Sequence, residues 1–185
     1  MHLHIVHLKH RQDRLSQVLR ELEIQNFDNY VLWEGFLDTE KPSRGIAEAH
    51  NQIVSWASEQ GLQEVMIAED DVQFSAKGAL EYFINNEPDD YDLYLGGISY
   101  SKVQDDNSVK DFAGTHLYKI RQRFYKTFLS LSGNKDIDRA LARQGKFLVC
   151  NPMVARQRNG FSDNRQEYIN NDLYFNKRNL WKGYK

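Results

Sequence analysis

Residues 65–74 of the chain read VMIAEDDVQF. Its first four residues are apolar, and three carboxylates follow at once: Glu69, Asp70 and Asp71. A short apolar run of this kind is typical of a strand that is buried on both faces. Adjacent carboxylates raise one another's pKa unless a positive group compensates their repulsion. The stretch therefore predicts a buried strand that ends at a site for a cation or a proton.

The acidic cluster has two interpretations at this point. Side chains alternate along an extended chain, so Glu69 and Asp71 are expected to point one way and Asp70 the other. Two carboxylates on one side suit Mg²⁺ or Mn²⁺ and leave coordination positions for phosphate oxygens. The alternative is a solvated turn in which Asp70 or Asp71 caps the following helix. Spacing alone leaves both interpretations open.

Strands and helices alternate on either side of this stretch, by the period of their apolar residues. The predicted strands cover 3–8, 29–34, 64–68, 91–97, 114–120 and 146–150. The predicted helices cover 11–24, 46–60, 75–85, 121–130 and 135–144, with a long loop at 98–113 and a terminal helix and basic tail at 165–185. This order predicts one α/β domain over 1–185, with a mostly parallel central sheet flanked by helices. Sites in such folds lie at the carboxyl ends of the strands, where the acidic cluster and the pair Gly96 and Gly97 fall.

Composition limits the classes of partner. The chain has 185 residues, of which 41% are hydrophobic, and its 24 Lys and Arg are balanced by 26 Asp and Glu. No general excess of positive charge marks a nucleic-acid binder. A single cysteine, Cys150, excludes an intrachain disulfide and fits a reducing compartment.

Location is inferred from the apolar windows and from the end of the chain. No window of 18 apolar residues occurs, so we expect a cytoplasmic protein. Basic and aromatic residues mix near the C-terminus, which suits a peripheral contact with the inner face of a membrane: Lys177, Arg178, Trp181, Lys182, Tyr184 and Lys185. The alternative is a solvated tail.

Five segments together resemble glycosyltransferase family 25. They are IVHLKHRQDR (5–14), GIAEAHNQIVSWASEQGLQEVMIAEDDVQF (45–74), DLYLGG (92–97), GTHLYKI (114–120) and GFSDN (160–164). The resemblance spans residues 3 to 164, in the order and approximate spacing of the family. The family includes bacterial lipooligosaccharide galactosyltransferases and collagen galactosyltransferase domains.

The resemblance implies a GT-A type fold and a metal-assisted transfer from a nucleotide sugar, most often UDP-galactose, with inversion at the anomeric carbon. AEDDV (68–72) then resembles the family's Asp-x-Asp motif. Asp71 would ligate Mn²⁺ or Mg²⁺ with help from Glu69, and Asp70 would lie at the donor. His116 matches the family's Gly-Thr-His-Ala-Tyr and would complete the metal shell or contact the diphosphate.

Donor-binding roles follow for several other residues. Arg11 and Arg14 follow the first strand and suit bidentate phosphate contacts, or are ordinary exposed charge on a helix. His50 matches the histidine of the family's Gly-Glu-x-Gly-Cys-x-x-Ser-His stretch and contacts either the donor or a structural hydrogen-bond partner. Gly96 and Gly97 let the backbone approach the sugar, or form a tight turn.

An inverting transfer needs a base that takes the proton of the acceptor hydroxyl. The resemblance offers Asp138, in NKDIDRAL (134–141), and Asp163, in GFSDN. Asp138 could instead start a helix, and Asp163 could cap one. The acceptor implied is a lipooligosaccharide or another surface glycan or glycolipid.

The chain also departs from the family's pattern. Ser43 stands where the family usually has Glu, and Glu48 and Ala49 replace its usual Leu and Ser. These departures favour a second hypothesis, a degenerate noncatalytic module that binds glycans or acts as a scaffold. A third hypothesis, a metal-dependent phosphohydrolase or nucleotidyltransferase, needs further acidic ligands at other strand ends. Asp92 lies at the start of its predicted strand and does not supply one.

Overall fold

The computed structural model describes residues 1–131 and 136–184. The strands are β1 Leu3–His7, β2 Tyr30–Glu34, β3 Glu64–Glu69, β4 Val72–Phe74, β5 Leu93–Leu95, β6 Ser108–Val109, β7 Leu117–Arg121, β8 Phe147–Val149, β9 Ala155–Gln157, β10 Gly160–Ser162 and β11 Glu167–Ile169. The helices are α1 Gln12–Ile24, α2 Pro42–Glu59, α3 Ala79–Asn85, α4 Gln122–Ser130, α5 Ile137–Leu141 and α6 Asp172–Phe175.

Seven strands form the central sheet, in the order β2-β1-β3-β7-β5-β8-β6. The pairs β1–β2, β1–β3 and β5–β8 are parallel. Strand β7 runs antiparallel to both β3 and β5, and β6 runs antiparallel to β8. All strands except β7 and β6 therefore point the same way, which confirms the predicted α/β fold with a mostly parallel sheet.

Strand β3 shows why the apolar run lies at the centre. Val65 and Ile67 belong to the core on one face of the sheet, where α2 packs. Met66 and Ala68 belong to the core on the other face, with Val18 and its neighbours of α1. Because both faces of the strand are covered, every residue of the run is apolar.

Several element bounds differ from those predicted. Helix α2 begins at Pro42 rather than near 46, because proline suits the first turn of a helix. The short strand β4 precedes α3, which begins at Ala79 after Gly78 in the left-handed region. The terminal helix is reduced to Asp172–Phe175, and the preceding segment forms the hairpin β10–β11.

The C-terminal segment is partly turned inward. Trp181 is buried, with its ring 5.1 Å from that of Tyr82. Arg178 donates to the carbonyls of Ser99 and Ser101. These two members of the expected membrane-contact set are therefore engaged within the fold. Across the described residues, no helix has the length and apolarity needed to cross a bilayer.

Candidate active site at the carboxyl edge of the sheet

The three carboxylates lie where β3 ends and the chain turns into β4. Glu69 is the last residue of β3, and Asp70 and Asp71 form the tight turn that follows. The predicted alternation of an extended chain is wrong here, because one guanidinium nitrogen, Arg14 Nη1, lies 3.0 Å from Asp70 Oδ1 and 3.5 Å from Asp71 Oδ2. The alternative of a helix cap is also wrong, since Gly78 occupies the N-cap of α3 and the side chain of Gln25 accepts from the backbone N–H of Leu80 in its first turn.

Asp70 ties three elements together. Its Oδ2 lies 3.0 Å from His7 Nδ1 at the end of β1, and its Oδ1 accepts from Arg14 on α1. Its backbone N–H donates to the carbonyl of Val6 at 3.1 Å. Both carboxylate oxygens thus have protein partners, so Asp70 fixes the position of the turn.

Asp71 is the carboxylate with a free oxygen. Its side chain is buried, and Oδ1 has no hydrogen-bond partner among the described residues. Burial raises the pKa of Asp71 to about 7, the charge of Glu69 adds to the effect, and Arg14 opposes it only in part. A buried carboxylate oxygen without a partner costs free energy. The arrangement therefore favours a proton or a cation at this oxygen.

Glu69 contacts side chains from outside the turn. It accepts a hydrogen bond of 2.6 Å from Thr115 Oγ1, and His50 Nε2 lies 3.5 Å from the same oxygen. Burial alone would raise the pKa of Glu69, but His50 and the Thr115 hydroxyl outweigh it and lower the pKa. The pKa of Glu69 is thus lowered and that of Asp71 is raised, so Glu69 is the carboxylate that keeps its negative charge.

His50 has a structural hydrogen bond in addition to its contact with Glu69. Its Nδ1 lies 2.9 Å from the hydroxyl of Tyr118 on β7, and the two rings stack 5.7 Å apart. The side chain is completely buried. The structure thus supplies the hydrogen-bonding role that the sequence offered as one alternative, while donor contact stays a prediction.

His116 lies immediately before β7, beside the end of β3. Its carbonyl accepts from the backbone N–H of Glu69 at 3.2 Å, and its ring packs edge-on against Phe175. The ring is completely buried, neither nitrogen forms a well-aligned hydrogen bond to a described residue, and burial lowers the pKa of His116. His116 is therefore a neutral imidazole in the wall of the site.

The three predicted metal ligands, Glu69, Asp71 and His116, are not arranged so that all three could coordinate one ion. Over residues 1–131 and 136–184, no three His, Cys, Asp or Glu side chains are grouped so that they could hold a metal ion. Glu69 is near enough to both Asp71 and His116 for their charges to interact, but the three side chains do not form one group. A cation here would have fewer protein ligands than the sequence predicted.

Gly96 and Gly97 meet protein atoms at the positions where a Cβ would project. A Cβ on Gly96 would lie 2.5 Å from Leu117 Cδ2, and one on Gly97 would lie 2.1 Å from the carbonyl oxygen of Ala155. The close packing of β5 against β7 and β9 thus accounts for both glycines. Their approach to a sugar stays a prediction.

Arg11 and Arg14 are held by the hairpin β10–β11. The carbonyl of Phe161 accepts from Arg11 Nη1 at 3.1 Å and from Arg14 Nη2 at 2.9 Å. Asp163, beyond β10, pairs with Arg11 and lies 3.3 Å from His10 Nε2. Burial would raise the pKa of Asp163, but these bonds lower it.

Asp138 lies in the first turn of α5, as one alternative predicted. Its carboxylate accepts from the backbone N–H of Gly114 at 2.9 Å and from that of Arg139 at 2.7 Å. Burial raises the pKa of Asp138, and the charges of Asp136 and Glu69 add to the effect. Through Gly114, Asp138 is thus hydrogen-bonded to the loop that carries Thr115 and His116. Asp163, the other predicted base, lies by the hairpin.

Sequence reasoning missed His7, Thr115 and Tyr118, which complete the polar contacts of the site. His7 had a signal, since it ends the first predicted strand at the same edge as the acidic cluster. Thr115 and Tyr118 flank His116 in the quoted GTHLYKI segment. Their pairings with Glu69 and His50 join positions distant in sequence, so no local pattern indicated them.

Among known proteins, this chain is similar to solved structures in its fold and to no protein family in its sequence. No family model matches the chain, and no curated protein matches it, so the resemblance to glycosyltransferase family 25 gains no support from either. Among solved structures, protein A197 from STIV has a TM-score of 0.52 at 14% identity, over 91% of this chain and 92% of that one. This likeness shows a shared fold.

Two glycosyltransferases are more distant in structure. One takes part in glycosylation of the major capsid of PBCV-1 and has a TM-score of 0.49 at 13% identity, over 82% of this chain and 81% of that one. The other is a Drosophila galactosyltransferase in complex with manganese, UDP-Gal and xylobiose, with a TM-score of 0.47 at 14% identity, over 99% of this chain and 76% of that one. At these scores the likeness supports no statement about activity.

Proposed function

We propose that this chain is a GT-A type, metal-dependent inverting glycosyltransferase that transfers a sugar, galactose, from a UDP-sugar to a lipooligosaccharide or another surface glycan. The observation that carries the proposal is the buried Oδ1 of Asp71, which has no hydrogen-bond partner in the described parts of the chain and lies beside Glu69 and Arg14. This oxygen lies at the carboxyl edge of a mostly parallel sheet, where α/β folds bind their ligands.

The residues present fit a divalent cation with few protein ligands. Mg²⁺ is commonly held by one or two carboxylates together with substrate phosphates and water. Asp71 would hold the cation through its free oxygen, with Glu69 next to it, and His116 would support the wall behind them. When bound, the cation neutralises the negative charge of the diphosphate leaving group.

Arg11 and Arg14 would bind the donor phosphates. Both guanidinium groups lie at the start of α1, next to the acidic turn, and Arg side chains suit bidentate contact with phosphate oxygens. Their hydrogen bonds to the Phe161 carbonyl would be exchanged for bonds to phosphate. This exchange requires the hairpin β10–β11 to shift.

Asp138 is the better candidate for the base. A general base works best when its pKa lies near the working pH, and burial raises the pKa of Asp138. Asp163 has a lowered pKa and is paired with Arg11, so it is a weak proton acceptor. We propose that Asp138 takes the proton of the acceptor hydroxyl. The role of Asp163 is to position Arg11.

A second candidate function is a noncatalytic glycan-binding or scaffolding module. It is favoured by the closed contact between the hairpin and both arginines, with Phe161 occupying their N–H groups. The changed residues Ser43, Glu48 and Ala49 in α2 favour it as well. In this case the fold is kept and nucleotide binding is lost.

A thermal-shift titration with UDP and UDP-galactose, with and without Mn²⁺, distinguishes the two functions. A ligand that binds only the folded state raises the Tm by mass action. We expect UDP to raise the Tm of the wild type only with Mn²⁺, and Asp71→Asn to abolish the shift. Asp105→Asn, an exposed change in the 98–113 loop, is the matched control and should behave as the wild type.

Two outcomes would contradict the proposal. If neither nucleotide shifts the wild type with any divalent metal, the noncatalytic module is favoured. If Asp71→Asn keeps the full metal-dependent shift, the cation is held elsewhere. Transfer of the sugar to water can be measured in the same samples as release of free galactose from UDP-galactose. We expect this release with the wild type and not with Asp71→Asn.

A further inference from the structure

A basic cavity lies at the carboxyl end of β8, outside the acidic site. Its volume is about 210 Å³, and three of its lining residues are cationic: Lys102, Lys177 and Arg178. None of the described residues that line it is acidic. The chain as a whole has a formal net charge of −2, so this concentration of positive charge is local.

The three cations have no carboxylate partner in the described parts of the chain. Some cations elsewhere in the molecule are paired even at exposed positions, as with Arg123 and Asp90 at 2.7 Å. Like charges that share a cavity repel one another, so their grouping is unfavourable unless an anion joins them. An anionic ligand would remove that repulsion.

Arg178 gives the cavity a fixed charge. Its Nη1 donates to the carbonyl of Ser101 at 2.7 Å and its Nη2 to that of Ser99 at 2.9 Å. Burial lowers the pKa of Arg178, which reflects a guanidinium partly removed from water without a compensating acid. Two neutral carbonyls orient the group but leave its charge uncompensated.

Amide groups line the same cavity. Asn179 Nδ2 donates to Asn151 Oδ1 at 3.1 Å, and Asn151 Nδ2 donates to Asn107 Oδ1 at 2.9 Å. The backbone of Asn179 is fixed as well, since its carbonyl accepts from the N–H of Met153 at 2.8 Å. The wall between the cations is therefore ordered and polar, as a site for an oxyanion requires.

We propose that this cavity binds an anionic group, a phosphate monoester or a sugar carboxylate. Lys102 and Lys177 contact the anion through their ammonium groups, and Arg178 holds it from the wall. A neighbouring cavity of about 270 Å³ shares Cys150 and Asn151 with the first, and Tyr82, Tyr94 and the acidic Asp106 also line it. The uncharged part of the ligand extends into this second cavity.

The cavity lies on the same edge of the sheet as the acidic turn. Ser99, which accepts from Arg178, follows Gly97 by two residues, and a Cβ at Gly97 would lie 3.3 Å from His116 Nε2. Resting on the proposed glycosyltransferase function, the anion would be a charged group of the acceptor. Binding of an anion in the cavity does not itself require that function.

The test is a ¹⁵N–¹H NMR titration of the full chain with inorganic phosphate, glucose 6-phosphate and glucuronate, with glucose as the neutral probe at equal ionic strength. We expect saturable shifts at 99–103, 150–153 and 177–179 with at least one anion and none with glucose. The double variant Lys102→Gln/Lys177→Gln should weaken that anion's binding by about tenfold or more, because two charge-assisted contacts are lost.

The matched control is Arg20→Gln/Lys126→Gln, which removes the same charge from exposed positions on α1 and α4. It should leave anion binding unchanged. Response to the phosphate probes alone identifies a phosphate ligand, and response to glucuronate alone identifies a carboxylate. The proposal is overturned if no anion gives saturable shifts, or if both double variants bind as the wild type does.

Binding of UDP with Mn²⁺ in the same samples separates this proposal from the function above. UDP shifts should appear at 11–14 and 69–71 and persist in Lys102→Gln/Lys177→Gln. Loss of UDP binding in that variant would assign the cavity to the donor and overturn a separate anion site. Anion shifts without UDP shifts would support the cavity and contradict the glycosyltransferase.

Discussion

Arg14 Nη2 donates to the backbone carbonyl of Phe161 at 2.9 Å, so the first turn of α1 is fastened to the hairpin β10–β11. The other nitrogen of the same guanidinium, Nη1, donates to Asp70 at 3.0 Å. One side chain thus joins the acidic turn to the hairpin. The planar fork of arginine makes this double contact possible, and a lysine ammonium cannot reproduce it.

Arg14→Lys is therefore expected to destabilise the protein although it keeps the charge. The side chain is largely buried, and a hydrogen bond to a charged group contributes about 1.5–3 kcal/mol. The free energy of unfolding, measured by urea denaturation, should fall by about this amount. Arg20→Lys, on the exposed face of the same helix, should leave it within about 0.5 kcal/mol. Equal stability of Arg14→Lys and the wild type would contradict the joining role.

Substitution of Asp138 and of Asp163, the two candidates for the catalytic base, is expected to change kcat by different amounts. Asp138→Asn should lower kcat for galactose transfer by about 100-fold or more, because a positioned base contributes at least that factor. Asp163→Asn should keep kcat within about tenfold, since that carboxylate is paired with Arg11 and its pKa is lowered. UDP-dependent thermal shifts of both variants check that the donor site is intact. The reverse order of the two kcat values would make Asp163 the base.

Gly97→Ala tests whether that glycine is required for packing. The new Cβ would lie 2.1 Å from the carbonyl oxygen of Ala155, which is backbone and cannot rotate away. Overpacking of this kind costs about 1–3 kcal/mol or more, so the urea midpoint should fall without any donor present. Gly160→Ala is the control, because no atom of the described residues lies within 4 Å of its added Cβ. If both variants are as stable as the wild type, the glycine is free to serve a ligand.

The central strands and the place of the acidic cluster at the end of β3 could be predicted because their signals are contiguous in sequence. The apolar run of β3 and its three carboxylates need no information from elsewhere in the chain. Strands β9, β10 and β11 could not be predicted, since each has three residues of mixed polarity and shows no period. Their pairing is decided by tertiary contacts, such as β4 with β9 across more than eighty residues.

Contacts between side chains that are distant in sequence could not be predicted either. Arg14, Asp70 and Asp71 were all predicted as functional residues, but their mutual contact was not, because it joins positions that are 56 or more residues apart. The Phe161 carbonyl gave no signal at all, since a backbone group carries no residue identity. Residue types therefore indicated the chemistry of the site, whereas its pairing geometry required the fold.

A pH dependence of stability is expected from His4. Its Nδ1 accepts from Trp33 Nε1 at 2.9 Å, its ring lies 4.9 Å from that of Trp56, and it is almost completely buried. Burial, with a smaller contribution from His2, lowers the pKa of His4 from 6.5 to about 4. The unfolded chain therefore binds the proton first as the pH falls, which favours unfolding between pH 6.5 and about 4.

The expected loss is up to about 3 kcal/mol across that interval, at 1.36 kcal/mol per pKa unit. His4→Asn keeps an oxygen that can accept from Trp33 but does not titrate there, so its unfolding free energy should vary less between pH 7 and pH 4. His2→Asn, at an exposed position, should follow the wild-type curve closely. Urea denaturation at each pH measures all three proteins. Parallel curves for His4→Asn and the wild type would show that His4 takes up its proton in the folded state as readily as in the unfolded chain.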